Sequence, residues 1–210
     1  MARKYELKKR AERQEETRRR ITEAATELHS SVGPARTTIA AIAERAGVQR
    51  QTVYKHFPDE YALFGACTSL SWEQNPGPDP AVWRLTATGE QRLRRGLTEL
   101  YGYFGANRQL LANVRRDADT MPVVRWAFSK FRAGWLADCR AALCEGWPQS
   151  ASAAIGHAVD FAAWDSLENL GLDDPAKVDL MVLLAEAASK ARPAPRVRAS
   201  RASPSLRAAG

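Results

Sequence analysis

Cysteine, histidine and long apolar runs are all scarce in this sequence, and each scarcity excludes something. The three cysteines, Cys67, Cys139 and Cys144, form no CxxC pair, so neither a disulfide framework nor a zinc site is indicated, and a reducing, intracellular setting is expected. The three histidines, His29, His56 and His157, are scattered. With no nucleophile elbow, metal-ligand spacing or phosphate-binding glycine loop, no catalytic, metal-binding or cofactor-binding residue is assigned, and an enzyme is not expected. No run approaches the roughly 18 apolar residues of a membrane span. The N-terminus, MARKYELKKRAERQEETRRR, carries charge where a signal peptide needs an apolar core, so a cytoplasmic protein without a membrane partner is expected. Period-two alternation is missing as well, and with it any strand signal.

What is present is charge at the two ends of the chain. Residues 1–57 hold 13 lysines and arginines against 7 acidic residues, whereas residues 58–191 hold 13 against 17, and the stretch from Arg192 onward adds 5 arginines and no acid. Such asymmetry suits an N-terminal segment that meets a polyanion and a body that does not, although basic ends that merely aid solubility give the same charges.

Apolar residues recur at helical spacing throughout, which predicts an all-α protein. Ile21, Ala24, Ala25 and Leu28 form one face of a first helix ending near Val32-Gly33-Pro34. Thr37-Thr38 offers an N-cap for a helix over 39–46, and a second short helix over about 49–57 follows Gly47. Asp59 caps a fourth helix to about Trp72. The sequence NPGPDP, residues 75–80, is a loop and a domain boundary, because its prolines cannot sit inside a helix. Further helices are predicted at about 88–104, 107–117, 122–146, 150–170 and 175–190. The division is therefore a basic arm over 1–17, a helix-turn-helix domain with its linking fourth helix over 18–74, a larger helical domain over 75–191 and a basic, disordered tail over 192–210.

Residues 43–57, AERAGVQRQTVYKHF, carry the most specific signal. In a helix-turn-helix the turn needs a residue that accepts positive φ and the crossing point needs a small side chain. Gly47 supplies the first and Ala43 the second. Ile42, Ala46, Val48 and Val53 are placed to be buried. Gln49, Arg50, Gln51, Thr52, Tyr54, Lys55 and His56 are left outward, a hydrogen-bonding face of the kind that enters a major groove.

From Thr17 to Phe64 the chain resembles the DNA-binding domain of TetR-family transcriptional regulators: TRRRITEAATELHSSVG, then TTIAAIAERAGV, then a helix ending TVYKHF, then PDEYALF. The stretches AVDFAAWDSLENLGL and VDLMVLLAEA are similar to that family too. The chain departs from it at Glu60, where the family has a lysine that contacts a phosphate, and at Gln49 and Val53, where serine and leucine are usual. The resemblance implies backbone contacts by Tyr54 and His56 and a four-helix dimer interface from the last two helices.

Double-stranded DNA is the expected partner. Arg50 suits the O6 and N7 of guanine, Gln51 suits adenine, and Gln49 and Thr52 share their face; Lys55 serves either bases or phosphates. Thr38 caps its helix with or without DNA and also offers a hydroxyl and backbone N–H to a phosphate. His56 closes a hydrophobic corner as well as facing the backbone. Basic residues 3–20 form either an arm along the DNA or a solvated helix extension with pairs such as Glu6–Arg10. Homodimerisation is expected through Ala151, Ala154, Ala158 and Ala162 with Val159, Phe161, Leu167, Val178, Met181, Val182 and Leu184, some of which must be internal core. The resemblance further implies a small apolar or aromatic effector of the kind that helical bodies enclose, with Phe104, Trp126, Phe131 and Trp164 as candidate lining residues and Arg115, Arg116, Asp117 and Asp119 as pocket groups or a solvated corner. The expected function is a ligand-responsive repressor on a palindromic operator. The alternative is a nonspecific or architectural DNA binder without an effector.

Overall fold

The computed structural model describes residues 2–86 and 88–190. Among them the chain is helical, without a strand. The N-terminal part comprises α1 (Ala2–Ser31), a 3-10 turn (Pro34–Arg36), α2 (Ile39–Arg45), α3 (Arg50–His56) and α4 (Glu60–Gln74). Its core is Ile21 and Ala25 of α1, Ile42, Ala43 and Ala46 around the turn, Val53 and Phe57, and Leu63 and Cys67 of α4. Local chemistry sets the ends of these helices. Thr38 accepts a hydrogen bond from the Ala41 N–H at 3.1 Å and Asp59 from the Ala62 N–H at 2.7 Å, each satisfying one orphan donor of a first turn. Gly47 turns the chain at φ +63°, a region that costs an L side chain strain.

The residues expected to form a separate arm belong to α1 itself, which is continuous from Ala2. Lys8 lies 3.9 Å from Glu12 along it, and Arg19 lies between Glu16 and Glu23 at 2.9 and 2.5 Å. The basic stretch from Arg192 falls outside the described residues.

The body contains α5 (Pro80–Trp83), α6 (Gly89–Ala106), α7 (Arg108–Ala118), α8 (Pro122–Phe131), α9 (Ala133–Cys144), a 3-10 turn (Gln149–Ala151), α10 (Ser152–Ala158), α11 (Phe161–Asn169) and α12 (Asp174–Lys190). Trp83, Leu93, Leu97, Leu100, Leu143 and Ile155 are fully buried in its core, each worth about 1.5–3 kcal/mol relative to exposure. The short α5 is absent from the sequence reading. It exists because Asp79 caps it, accepting from the Ala81 N–H at 2.9 Å, and Pro80 opens it.

Two helices expected to be continuous are broken. The stretch 122–146 divides at Arg132, whose φ of −120° departs from helix. Gly134 lowers helix stability there by about 1 kcal/mol, and the break lets the Arg132 side chain turn into the protein. The stretch 150–170 divides at Val159-Asp160. Tyr101 Oη donates to the Ala158 carbonyl at 3.0 Å, and the Asp160 carboxylate accepts from the Ala162 N–H at 2.8 Å, starting α11 afresh. Several expected dimer-face residues face inward: Ala151, Ala158, Val159, Val178, Met181 and Val182 pack within the chain's own core. From α10 to α12 the exposed large apolar side chains are Leu170, Leu183 and Leu184.

Candidate nucleic-acid interface

The helix-turn-helix is held from α1. Arg20 donates to the Ala46 carbonyl and, at 3.2 Å, to that of Gly47; Arg18 donates to the His56 carbonyl at 2.8 Å while its guanidinium lies 4.2 Å over the Phe57 ring. Each cation meets carbonyls at the C-terminal end of a short helix, where the helix dipole favours positive charge. In the sequence these arginines register only as general basic charge. TRRR at helical spacing does not distinguish an internal clamp from a solvated face, because the acceptors lie far away in sequence.

With α3 fixed in this way, its outer face consists of Gln49, Arg50, Gln51, Tyr54 and Lys55, all exposed, with Thr52 and His56 half-buried and Val53 wholly buried. Tyr54 is 51 % exposed. Neither Arg50 nor Lys55 pairs with a carboxylate among the described residues, and Gln49 begins the helix without a side-chain capping bond. Thr38 is exposed as well. Seven of the eight residues singled out thus lie along α3 or at its N-terminal end, a stretch free of acidic groups, and Thr38 stands apart from them at the start of α2. Glu60 is exposed in the first turn of α4.

The four aromatic candidates do not come together. Phe104 and Trp164 lie 6.0 Å apart in the body core. Trp126 and Phe131 pack edge to face on α8, with Tyr61 against Trp126 and the Lys130 ammonium over both α8 rings. Neither pair lines the largely apolar cavity of about 80 Å³ that lies between α1, α4, α7 and α8. Its wall includes His29, Phe64, Leu111, Val124, Phe128 and Arg132.

Beside this cavity α7 grips the loop after α1. The Asp117 carboxylate accepts from the Ala35 N–H at 2.9 Å and from Arg116 at 2.7 Å, and the Asn113 amide donates to the Ser30 carbonyl at 2.8 Å. The Arg116 guanidinium beside Asp117 holds that carboxyl below its usual range. Gly33 takes φ +98°, a conformation L side chains rarely adopt, so a substitution there is strained even though the nearest neighbour, the end of the half-exposed Arg116 side chain, can shift. The polar corner near Asp117 is therefore a junction between the two helical groups.

His29 forms part of the same junction, 7 % exposed and stacked on Phe64 with ring centroids 4.6 Å apart. Burial lowers its pKa from 6.5 to about 4, with the Asp117 carboxylate pulling weakly the other way. A folded-state pKa below the unfolded value means that protons favour the unfolded chain. The stability held by neutral His29 is complete above about pH 6.5 and is lost as pH falls toward 4, a difference of about 3 kcal/mol. His29→Phe keeps the stacking and removes the titration. Urea unfolding at a series of pH values should show a shallower loss of stability between pH 6.5 and 4 in the variant; an unchanged slope would remove His29 as its cause.

Crossed short helices with a positive-φ glycine at the turn, a small residue at the crossing and an outward polar helix define a helix-turn-helix domain of the DNA-binding kind. The family model for bacterial regulatory proteins of the tetR family matches residues 21–67, so this N-terminal domain is similar to the DNA-binding domain of that family. It is 41 % identical over 63 residues to the HTH-type transcriptional regulator AcrR of Shigella flexneri, a match covering 30 % of this chain and 29 % of that regulator. The fold as a whole is similar to that of a TetR-like transcriptional regulator from Rhodococcus sp. RHA1, with a TM-score of 0.57, 22 % identity, and 81 % of this chain and 93 % of that chain covered. It is also similar to the transcriptional regulator FadR of Bacillus subtilis, solved in complex with stearoyl-CoA, with a TM-score of 0.55, 18 % identity and coverage of 81 % and 97 %. No helix among the described residues is long and apolar enough to cross a membrane, and no group of three or more metal-ligating side chains gathers there.

Proposed function

We propose that the chain is a cytoplasmic transcriptional repressor that binds a palindromic operator as a homodimer and leaves it when a small apolar or aromatic ligand enters its body. The observation that carries this reading is the α3 face, whose exposed cations have no protein partner among the described residues while the neighbouring arginines of α1 are committed to holding the helix. In this reading residues 18–74 form the DNA-binding unit and 75–191 the effector and dimer unit. Arg50 and Gln51, with Gln49 and Thr52, read base edges, whereas Thr38, Tyr54, Lys55 and His56 hold phosphates.

One short recognition helix reads one half-site, so specificity favours a twofold pair. Leu170, Leu183 and Leu184, the last two on one exposed side of α12, supply apolar area for it. The cavity beside the α7 grip supports the effector part, since a ligand that moves α7 or α8 acts on the loop leading into α2. Selection of bound sequences from random duplexes should return an inverted repeat with half-sites about 34–36 Å apart along one face of the DNA. Recovery of unrelated sequences would favour the nonspecific reading.

Glu60 gives a further expectation. It sits exposed in the first turn of α4, where a carboxylate suits the helix dipole but opposes a phosphate. Glu60→Lys should tighten operator binding and steepen its salt dependence by up to about one phosphate contact, at a cost of a few tenths of a kcal/mol to the fold. A salt slope equal to that of the unaltered protein would put residue 60 outside the interface.

A further inference from the structure

The break between α8 and α9 buries an arginine without giving it a carboxylate. Arg132 is 8 % exposed; its guanidinium lies 4.7 Å from the Trp72 ring and 5.9 Å from that of Tyr103, and it donates one hydrogen bond to Tyr103 Oη. A guanidinium carries five N–H donors. No acidic side chain among the described residues pairs with it. Among the described residues the other buried cation is treated differently: Lys177 is bonded to both Glu168 and Asp174. Aromatic faces offset part of the desolvation of a buried cation, but a buried charge is ordinarily paired.

Arg132 also lines the cavity between α1, α4, α7 and α8, and it is the single charged residue of that wall. Around it stand Phe64, Leu111, Val124, Ala127 and Phe128 together with the hydroxyl residues Thr26, Thr68 and Ser71, so one cationic residue lines a largely apolar wall. His29, on the same wall, is neutral at physiological pH.

We propose that this cavity takes a small apolar acid, its carboxylate against the Arg132 guanidinium and its hydrocarbon part against Phe64, Val124 and Phe128. The inference rests on reading this cavity as the effector site and names the chemical class of the effector. A bidentate carboxylate matches the planar fork of the guanidinium and supplies the counter-charge that the chain does not. The cavity, at about 80 Å³, is smaller than the roughly 150 Å³ that holds a benzene. It therefore admits only a chain of a few carbons as it stands, and a six-carbon chain or a ring enters if Phe128, which is 40 % exposed, moves outward.

The test is a calorimetric titration of the full chain with hexanoate and benzoate and with their neutral counterparts hexanol and benzyl alcohol, repeated on Arg132→Met and Arg132→Lys. The acids should bind the unaltered protein at least about tenfold more tightly than the alcohols, as expected for a charge-assisted pair in an apolar site. Arg132→Met should abolish that preference while leaving alcohol binding in place, which also reports that the cavity has folded, and Arg132→Lys should keep part of the preference. Alcohols bound as tightly as acids, a preference that survives Arg132→Met, or no binding by either series at millimolar concentration would each overturn the inference. The same ligands added to an operator complex separate the two readings. Acid binding without release of DNA would leave the anion site standing and remove the effector role, whereas release by alcohols alone would do the reverse.

Discussion

Replacing Arg50 and Lys55 together with alanine should weaken binding to the selected operator by about two orders of magnitude while leaving the fold intact. A well-placed arginine is worth about 1–3 kcal/mol of discrimination between bases, and a lysine on a phosphate adds an affinity that salt screens. Both side chains are exposed and bonded to nothing else among the described residues, so the unfolding free energy should change by no more than about 0.5 kcal/mol. The two single variants should separate. Arg50→Ala loses preference at particular base pairs, whereas Lys55→Ala lowers affinity for all sequences alike or, if the lysine reads bases, shares the first pattern. Retention of base preference in Arg50→Ala would assign the reading of DNA to other residues of α3.

The second large effect is expected at Asp117. Its buried carboxylate accepts from the Ala35 backbone and from Arg116 at once, and removing it orphans that N–H at the mouth of the helix-turn-helix. Asp117→Ala should cost about 2 kcal/mol, in the range for a lost charge-assisted bond to a buried group; the half-exposed Arg116 adds little beyond that. Asp117→Asn keeps an acceptor for Ala35 but gives up the charge, and should cost less. Because Arg116 depresses the carboxyl's pKa in the folded chain, the stability it contributes is present above the ordinary carboxylate range and is lost as pH falls through the folded value. The gap between the unaltered protein and Asp117→Asn should therefore close on acidification, as followed by thermal unfolding across pH. A gap that persists unchanged at low pH would mean that the charge of Asp117 does not stabilise the junction.

These expectations differ in how far the amino-acid sequence alone announces them. Gly47, Ala43, Thr38 and Asp59 were legible because turn and cap chemistry is decided within a few residues: a glycine at φ +63° and a hydroxyl or carboxylate reaching a nearby N–H need no distant partner. The polar face of α3 was legible for the same reason, since Val53 points in at helical spacing and its neighbours point out. Arg18 and Arg20 were not, because their acceptors are backbone carbonyls more than twenty residues away. Asp117 likewise meets a backbone N–H across the junction.

Periodicity also hides breaks. The apolar pattern runs through Arg132 and Val159-Asp160 without a gap, while a buried guanidinium at one site and Tyr101 with the Asp160 cap at the other divide the helices. The cavity was the least legible feature. Its wall draws on α1, α4, α7 and α8, and large aromatic residues at helical spacing read alike whether they fill a core, as Phe104 and Trp164 do, or cover α8, as Trp126 and Phe131 do.

In the proposed function the α3 face reads a specific DNA sequence. A binding titration at physiological salt, comparing the selected inverted repeat with a scrambled duplex of the same composition, tests it most directly. The repeat should bind at least about a thousandfold more tightly, as specific sites do over nonspecific DNA. Equal affinities for the two duplexes would contradict the claim.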